Sequence, residues 1–371
     1  MNEERTRILQ MVKEGKLSVN EALTLLEELE KAKKSQEKKH EEIVNELSTV
    51  IDSQDKEKVT GSTLQSAADK IFGFVDTAIS KIKELDLDFN FGKYENVSHV
   101  YEKKDVNFGE MVIDIANGSI QVIPWDQNDV RIECEAKVYR VQTVDEAKEA
   151  LFQNVIFTIE ENKLRFSTQQ KLMKVNTILY VPQSSYERVR LRTFNGPISG
   201  EKLTTKDFKI KAANGKIDIN QLTSKHAEIE TANGHIAVAN SQVEDFEAET
   251  VNGRLSLEGD FEKVDVQTFN GNIDCIIKGN TCKYIQTRAV TGAIDLIVPD
   301  GITIEGELKS NLGGFTVELD DLQIVEEKSE MAQKLFRFKT NNKSEQKLHV
   351  LADTKTGSIT MKKQKGIVLV K

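Results

Sequence analysis

From Thr193 to Val317 the chain alternates apolar and polar positions, and an Asn-Gly pair or a relic of one breaks the alternation at near-regular intervals. Two positions past each glycine stand Ile198, Ile217, Ile236, Leu255, Ile273, Ile294 and Phe315; four past it stand Ile219, Val238, Leu257, Cys275, Leu296 and Val317. Four before the asparagine come Leu191, Ile210, Ile229, Ala248 and Val266, and six before it Val189, Phe208, Ala227, Phe246 and Val264. A period of two on both flanks predicts two half-buried strands per repeat, joined at the Asn-Gly corner. The corners are Asn195-Gly196, Asn214-Gly215, Asn233-Gly234, Asn252-Gly253 and Asn270-Gly271, with decayed copies at Gly292 and Gly313. The glycine spacings are 19, 19, 19, 18, 21 and 21, and a fixed period of that size marks a repeat architecture. An early copy, Asn117-Gly118, lies 78 residues ahead of the array, and Thr356-Gly-Ser-Ile-Thr-Met361 is a distant last one.

Asn-Gly is a strong turn signal, because glycine tolerates positive φ and asparagine the left-handed region. Two folds fit: a meander, in which each corner closes a hairpin, and a β-solenoid, in which each repeat is one coil. Stacking like on like explains why the same residue type recurs at the same place, which a meander does not require. The expected fold is therefore mainly β, a β-helix-like solenoid with about 19–21 residues per coil. Its corner asparagines should form a column, and six steps give a length of about 29 Å.

The amino-terminal third reads differently. Residues 1–34 predict a helical hairpin: Ile8, Met11 and Val12 share a face, Gly15 stops the first helix, and Ser18-Val-Asn-Glu21 is a capping box. Ala22, Leu25, Leu26 and Leu29 then form an apolar stripe. So short a unit must dock on itself, on the β body or on a partner; Leu25, Leu26 and Leu29 are the candidate contact residues. Residues 35–61 read as a charged linker or solvated helix. Residues 62–94 read as an amphipathic helix (Leu64, Ala68, Ile71, Val75, Ile79, Ile82) and a lead-in strand, Leu85–Phe91. The helix lacks the strongly basic polar face of a membrane-surface helix, which favours packing on the β body. Residues 95–371 are the repeat domain, interrupted by a short helix that opens at Thr143-Val-Asp-Glu146.

Composition narrows function mainly by exclusion. A net charge of −9 argues against general nucleic-acid binding. No signal peptide or run of 18 apolar residues is visible, and the default compartment is a reducing cytoplasm. Cys134 and Cys275 fall on core positions, leaving Cys282 as the cysteine with a chance of exposure. His40, His99, His226, His235 and His349 are scattered, without metal-ligand spacing. No nucleophile elbow, phosphate loop or dinucleotide fingerprint occurs, so neither cofactor, metal nor catalytic residue is assigned. Acidic pairs such as Asp320-Asp321 read as surface charge, and no acid pair is expected to recur in successive coils.

The Asn-Gly-x-Ile array with Val181-Pro182 and Val298-Pro299 resembles the bacterial adhesin-type β-strand-repeat domain over about residues 95–365. The start, Arg7 to Leu26, resembles the short helical module that precedes this domain in YvlB-like and LiaX-like proteins of Gram-positive bacteria. The resemblance implies a role in the cell-envelope stress response, near the membrane; for the LiaX-like branch it implies a response to membrane-active peptides, and surface exposure. It carries over no catalytic residue. Two functions follow: a non-enzymatic binding and scaffold protein whose helical module contacts a protein partner or a second copy, or a carbohydrate-binding or carbohydrate-active solenoid acting on wall polymers. A cleft with convergent acids on adjacent coils would distinguish the second.

Overall fold

The computed structural model describes residues 2–14, 93–168, 170, 172–330, 333–342 and 344–364, with Ala22, Leu23, Leu26, Glu27, Glu30, Lys34 and Lys38 standing singly. The capping box at Ser18, the linker apart from Lys38, the amphipathic helix and the lead-in strand lie outside the described residues. Helix α1 spans Asn2–Lys13. The β body opens with β1 (Tyr94–Lys103), β2 (Glu110–Asn117), β3 (Ile120–Trp125) and β4 (Val130–Tyr139). Helix α2 (Val144–Asn154) follows, N-capped by the Thr143 hydroxyl, which accepts from the Glu146 backbone N–H. Next come β5 (Val155–Glu160), β6 (Lys163–Thr168) and β7 (Met173–Pro182).

The regular coils are built from a long strand and a short one. They are β8 (Ser185–Asn195) with β9 (Ile198–Glu201), β10 (Thr204–Asn214) with β11 (Ile217–Asn220), and then β12 (Thr223–Asn233). Strands β13 (Ile236–Asn252) and β14 (Leu255–Asn270) each run through the coil boundary, so the short arm of one coil continues into the long arm of the next. After β15 (Ile273–Ile277) come β16 (Tyr284–Thr291), β17 (Ile294–Val298), β18 (Thr303–Ser310), β19 (Phe315–Glu318), β20 (Leu322–Ser329), β21 (Lys334–Thr340), β22 (Lys347–Thr354) and β23 (Ile359–Lys363).

Long arms pair in parallel with long arms and short with short, in register: Asn214 opposes Asn195 on one side and Asn233 on the other, and Ile217 opposes Ile198 and Ile236. This is the solenoid, not the meander. Inward residues of both arms meet in one continuous core, in which Phe208, Phe246, Phe261 and Ile236 are almost fully buried. Cys282 is buried as well, correcting the expectation that it was the cysteine that could be exposed: its Sγ faces inward and lies 3.7 Å from the Tyr284 carbonyl oxygen. Burial pushes the thiols of Cys134 and Cys282 up to about 12, so neither is a thiolate at neutral pH.

The order of coils in space is not their order in sequence. β2 lies between β6 and β8, so the early copy at Asn117 stacks directly under Asn195. At the other end β22 is inserted between β16 and β18, which places the copy at Gly357 inside the stack rather than last. The ends are closed by antiparallel strands. β5 pairs with β6, β4 with β7 and β1 with β4; at the far end β21 pairs with β18 and β20 with β21. Closing strands of this kind block end-to-end aggregation of a parallel stack.

Candidate functional site

The Asn-Gly corners come first because they are the most repetitive chemistry in the chain. Asn195 Nδ2 donates to Asn117 Oδ1 (2.8 Å), Asn214 to Asn195 (2.9 Å), Asn233 to Asn214 (2.9 Å), Asn252 to Asn233 (2.8 Å) and Asn270 to Asn252 (2.9 Å). The Thr291 hydroxyl ends the column on Asn270 Oδ1 at 2.6 Å. The predicted column therefore exists, and its amides are used on one another rather than on a ligand.

The glycines are required for a reason different from a hairpin turn. Positive φ occurs at Gly118, Gly196 and Gly292. A Cβ on Gly234 would lie 1.9 Å from the carbonyl oxygen of Gly215 on the next coil, and one on Gly253 would lie 1.8 Å from that of Gly234. Close backbone stacking, not left-handed geometry alone, selects the residue. Buried threonines complete the corner: the hydroxyls of Thr250 and Thr268 donate to the carbonyls of Gly234 and Gly253 at 2.9 and 3.0 Å. The corners are thus structural, and His235 takes part in them: its Nδ1 accepts from the Arg254 backbone N–H at 2.9 Å.

Three surfaces remain as candidates. The first is the helical module. Ile8 and Ala22 are buried together, with Met11, Val12 and Leu26 packed on them, and the cluster closes on Val290 and Leu312 of the β body. Of the three proposed contact residues, Leu26 is in this cluster, whereas Leu25 and Leu29 lie outside the described residues. Leu312 occupies the slot of a corner asparagine, two residues past Ser310, which pairs with Thr354. Loss of the polar corner residue there opens an apolar seat that the repeat pattern alone did not reveal.

The second is a cleft of about 670 Å³ at the first corners, bounded by Asn117, Gly118, Asn195 and Pro197. Gln121 on β3, Asn176 on β7 and the carboxylates of Glu133 and Glu135 on β4 also line it, with Lys174 and Tyr139 nearby. Arg131 Nε donates to Glu133 at 2.9 Å. The cleft exists because β4 extends the short-arm sheet beyond the coil, and that antiparallel addition was not legible in the repeat.

The third is the outer face of the long arms. Glu228 and Glu230 on β12 stand in register with Glu247 and Glu249 on β13, and Glu247 with Asp265 on β14. An acid pair therefore does recur on successive coils, against expectation; its fixed offset of five and three residues before the corner asparagine was the available signal. These side chains border a shallow groove of about 250 Å³. Burial pushes Glu230 up to about 7, helped by Glu228 and opposed by Lys211, whose Nζ lies 3.2 Å away. Burial works in the same sense on Glu228, but hydrogen bonds from Glu230 and Lys209 outweigh it and hold Glu228 below the usual carboxylate range. Among the described residues no group of three or more His, Cys, Asp or Glu is placed to hold a metal ion, and no helix is long and apolar enough to cross a membrane.

The chain is 46% identical over 365 residues to the uncharacterized protein YvlB of Bacillus subtilis (strain 168), covering 98% of this chain and 99% of that one. Its fold is similar to a candidate adhesin from Bacteroides fragilis (12% identity, TM-score 0.43, covering 72% of this chain and 97% of that chain). It is likewise similar to a candidate lipid-binding protein from Parabacteroides distasonis (11% identity, TM-score 0.42, covering 72% and 97%). Residues 3–34 match the SHOCT-like domain and residues 108–362 match the Toastrack DUF4097 model. The chain is a YvlB-like protein and belongs to the Toastrack DUF4097 family.

Proposed function

We propose that this chain is a non-enzymatic scaffold of the bacterial cell-envelope stress response. In this reading the solenoid is a rigid platform and the helical module the part that engages a protein partner at the membrane or a second copy. The observation that carries the reading is the modest seat of the module. Among the described residues, Ile8 and Ala22 form a cluster separate from the main core, and it closes on two corner side chains, Val290 and Leu312. Full burial of a large aliphatic side chain contributes about 1.5–3 kcal/mol, so the described part of this seat contributes a few kcal/mol. A contact of that size can be exchanged for a partner at ordinary affinity. The Asn-Gly corners support a non-enzymatic role, since their asparagines and glycines are spent on stacking.

The test is recovery of partners from membranes under envelope stress, with the full chain and with residues 1–34 removed. Changing Leu25 and Leu29 to Asp should abolish recovery and leave the β body folded. Unchanged partners and unchanged sedimentation would reduce the module to a structural cap. The cleft supports a second reading, binding of wall carbohydrate, because amides and carboxylates beside a tyrosine suit a hydroxyl-rich ligand. Calorimetry with soluble wall glycan fragments, repeated with Glu135→Ala and Lys174→Ala, decides it: no heat with the parent chain removes that reading.

A further inference from the structure

Two rows on the outer face of the long arms are divided by sign. On β8 and β10 the outward positions five and three before the corner asparagine are Arg190, Arg192, Lys209 and Lys211. On β12 and β13 the same positions are Glu228, Glu230, Glu247 and Glu249, and Asp265 extends the acidic band onto β14. Parallel in-register stacking makes each band continuous across neighbouring coils, about 4.8 Å apart. Ion pairs stitch the seam between the bands: Lys209 to Glu228 at 2.6 Å and Lys211 to Glu230 at 3.2 Å. At the outer edges Arg192 pairs with Asp114 (2.6 Å) and Asp265 with Arg288 (3.1 Å), whereas within each band like charges face like. Arg190 stands beside Lys209, and it is exposed, with no ion pair among the described residues. Glu247 stands beside Glu228, and among the described residues its ion pair is a long one, to Lys263 at 3.8 Å. Crowding of like charge within each band is a cost that a second surface of opposite sign would relieve.

We propose that this two-signed face is an interface for a second copy of the chain, packed face to face about a two-fold axis that lies in the interface, along the strands, between β10 and β12. Such an axis reverses the coil direction, so β8 of one copy lies over β13 of the other and β10 over β12. Arg190 then meets the partner copy's Glu247, and Lys209 its Glu228, twice over by symmetry, as an isologous contact requires. Four coils by six outward-and-inward positions span roughly 19 by 20 Å; because Lys211 and Glu230 are already largely covered, the pair buries less than about 800 Å² in total from the bands. That is a weak interface, and a micromolar, salt-sensitive dimer is expected. It does not use the helical module, so it stands or falls apart from the function proposed above.

The test is sedimentation of the full chain at about 50 mM and about 500 mM NaCl, conditions that change the screening length about threefold. Two variants are compared with the parent: Arg190→Glu with Lys209→Glu, and Glu228→Lys with Glu247→Lys. Each alone should weaken self-association about tenfold or more, because like charges then meet across the axis. An equimolar mixture should associate again, since every contact between unlike variants is restored. The chain carrying all four changes should also dimerise, and it regains the pairing at the seam, which separates loss of binding from loss of folding. A parent chain that stays monomeric at about 100 µM in low salt overturns the proposal. So does association that survives both reversals, which would assign it to another surface, or a mixture and fourfold variant that remain monomeric.

Discussion

Replacing Glu230 with Gln should stabilise the protein above neutral pH and leave it unchanged near pH 5. The Glu230 side chain is mostly covered, 15% exposed, and burial lifts it from 4.5 to about 7. A proton bound more tightly in the folded state than in the unfolded chain means that stability falls as pH rises between those two values and is flat above them. Each unit is worth 1.36 kcal/mol, so ionising Glu230 in place costs about 3 kcal/mol. Two effects reduce what the amide recovers. Lys211 loses a charged neighbour at 3.2 Å, and Glu228, held low, titrates in the opposite sense. The expected gain is about 1–2 kcal/mol at pH 8 and about zero at pH 5, where the parent carboxyl is already neutral and donates to Glu228 as the amide would. Urea midpoints followed through the single tryptophan, Trp125, at a series of pH values read this directly. A difference between parent and variant that is constant from pH 5 to pH 8 would refute the assignment.

Ile236→Asp should unfold the β body or cost about 4 kcal/mol or more, because the position is 1% exposed and offers a carboxylate nothing to pair with. His235→Ala, one residue away, should cost about 1 kcal/mol, the hydrogen bond to Arg254 N–H; equal melting temperatures for the two would contradict the inward register. Gly234→Ala should cost about 3 kcal/mol, since its Cβ must push two coils apart and strain the bonds from Gly234 N–H to Asn252 and from Gly215 N–H to Asn233. A neutral result in thermal denaturation would show that the corner can open without loss.

Much of this architecture was legible in the chain because a solenoid converts sequence period into spatial neighbourhood. Ile217 lies beside Ile198 and Ile236 for the same reason that they occupy equivalent places in the repeat. The column of asparagines followed from identity alone. The same logic held the acid pairs of Glu228 and Glu247, which become visible once outward positions are aligned as carefully as inward ones. What the period could not convey was contact that breaks it. The early copy at Asn117 and the late copy at Gly357 have the right local pattern, yet nothing local says between which coils they fit. The seat for the helical module depends on Leu312 filling a polar slot, and the end cleft on β4 extending a sheet by antiparallel pairing. Both are junctions between the repeat and something outside it, where identity between copies carries no information.

The inserted coil leads to a prediction that separates this solenoid from a simple stack. In a stack whose spatial and sequential orders agree, removing the last coil shortens the molecule and leaves the rest intact. Here β22 and β23 bridge β16 and β17 on one side and β18 and β19 on the other. Deleting residues 344–371 therefore removes a coil from within the stack. Ile294 would lose its backbone acceptor, the Ser358 carbonyl, and Thr303 would lose that of Gln346. Leu348, Val350, Ile359 and Met361, all almost fully buried, would leave the core, at about 1.5–3 kcal/mol each. The coil β18/β19 and its antiparallel cap would then have no partner on the body. The expected result is a truncated chain in which residues 303–340 exchange amide hydrogens as freely as an unfolded segment, while β8 to β14 keep their protection. Protection retained across residues 303–340 would mean that this coil re-docks on β16, and that the order of coils is less strictly fixed than the register implies.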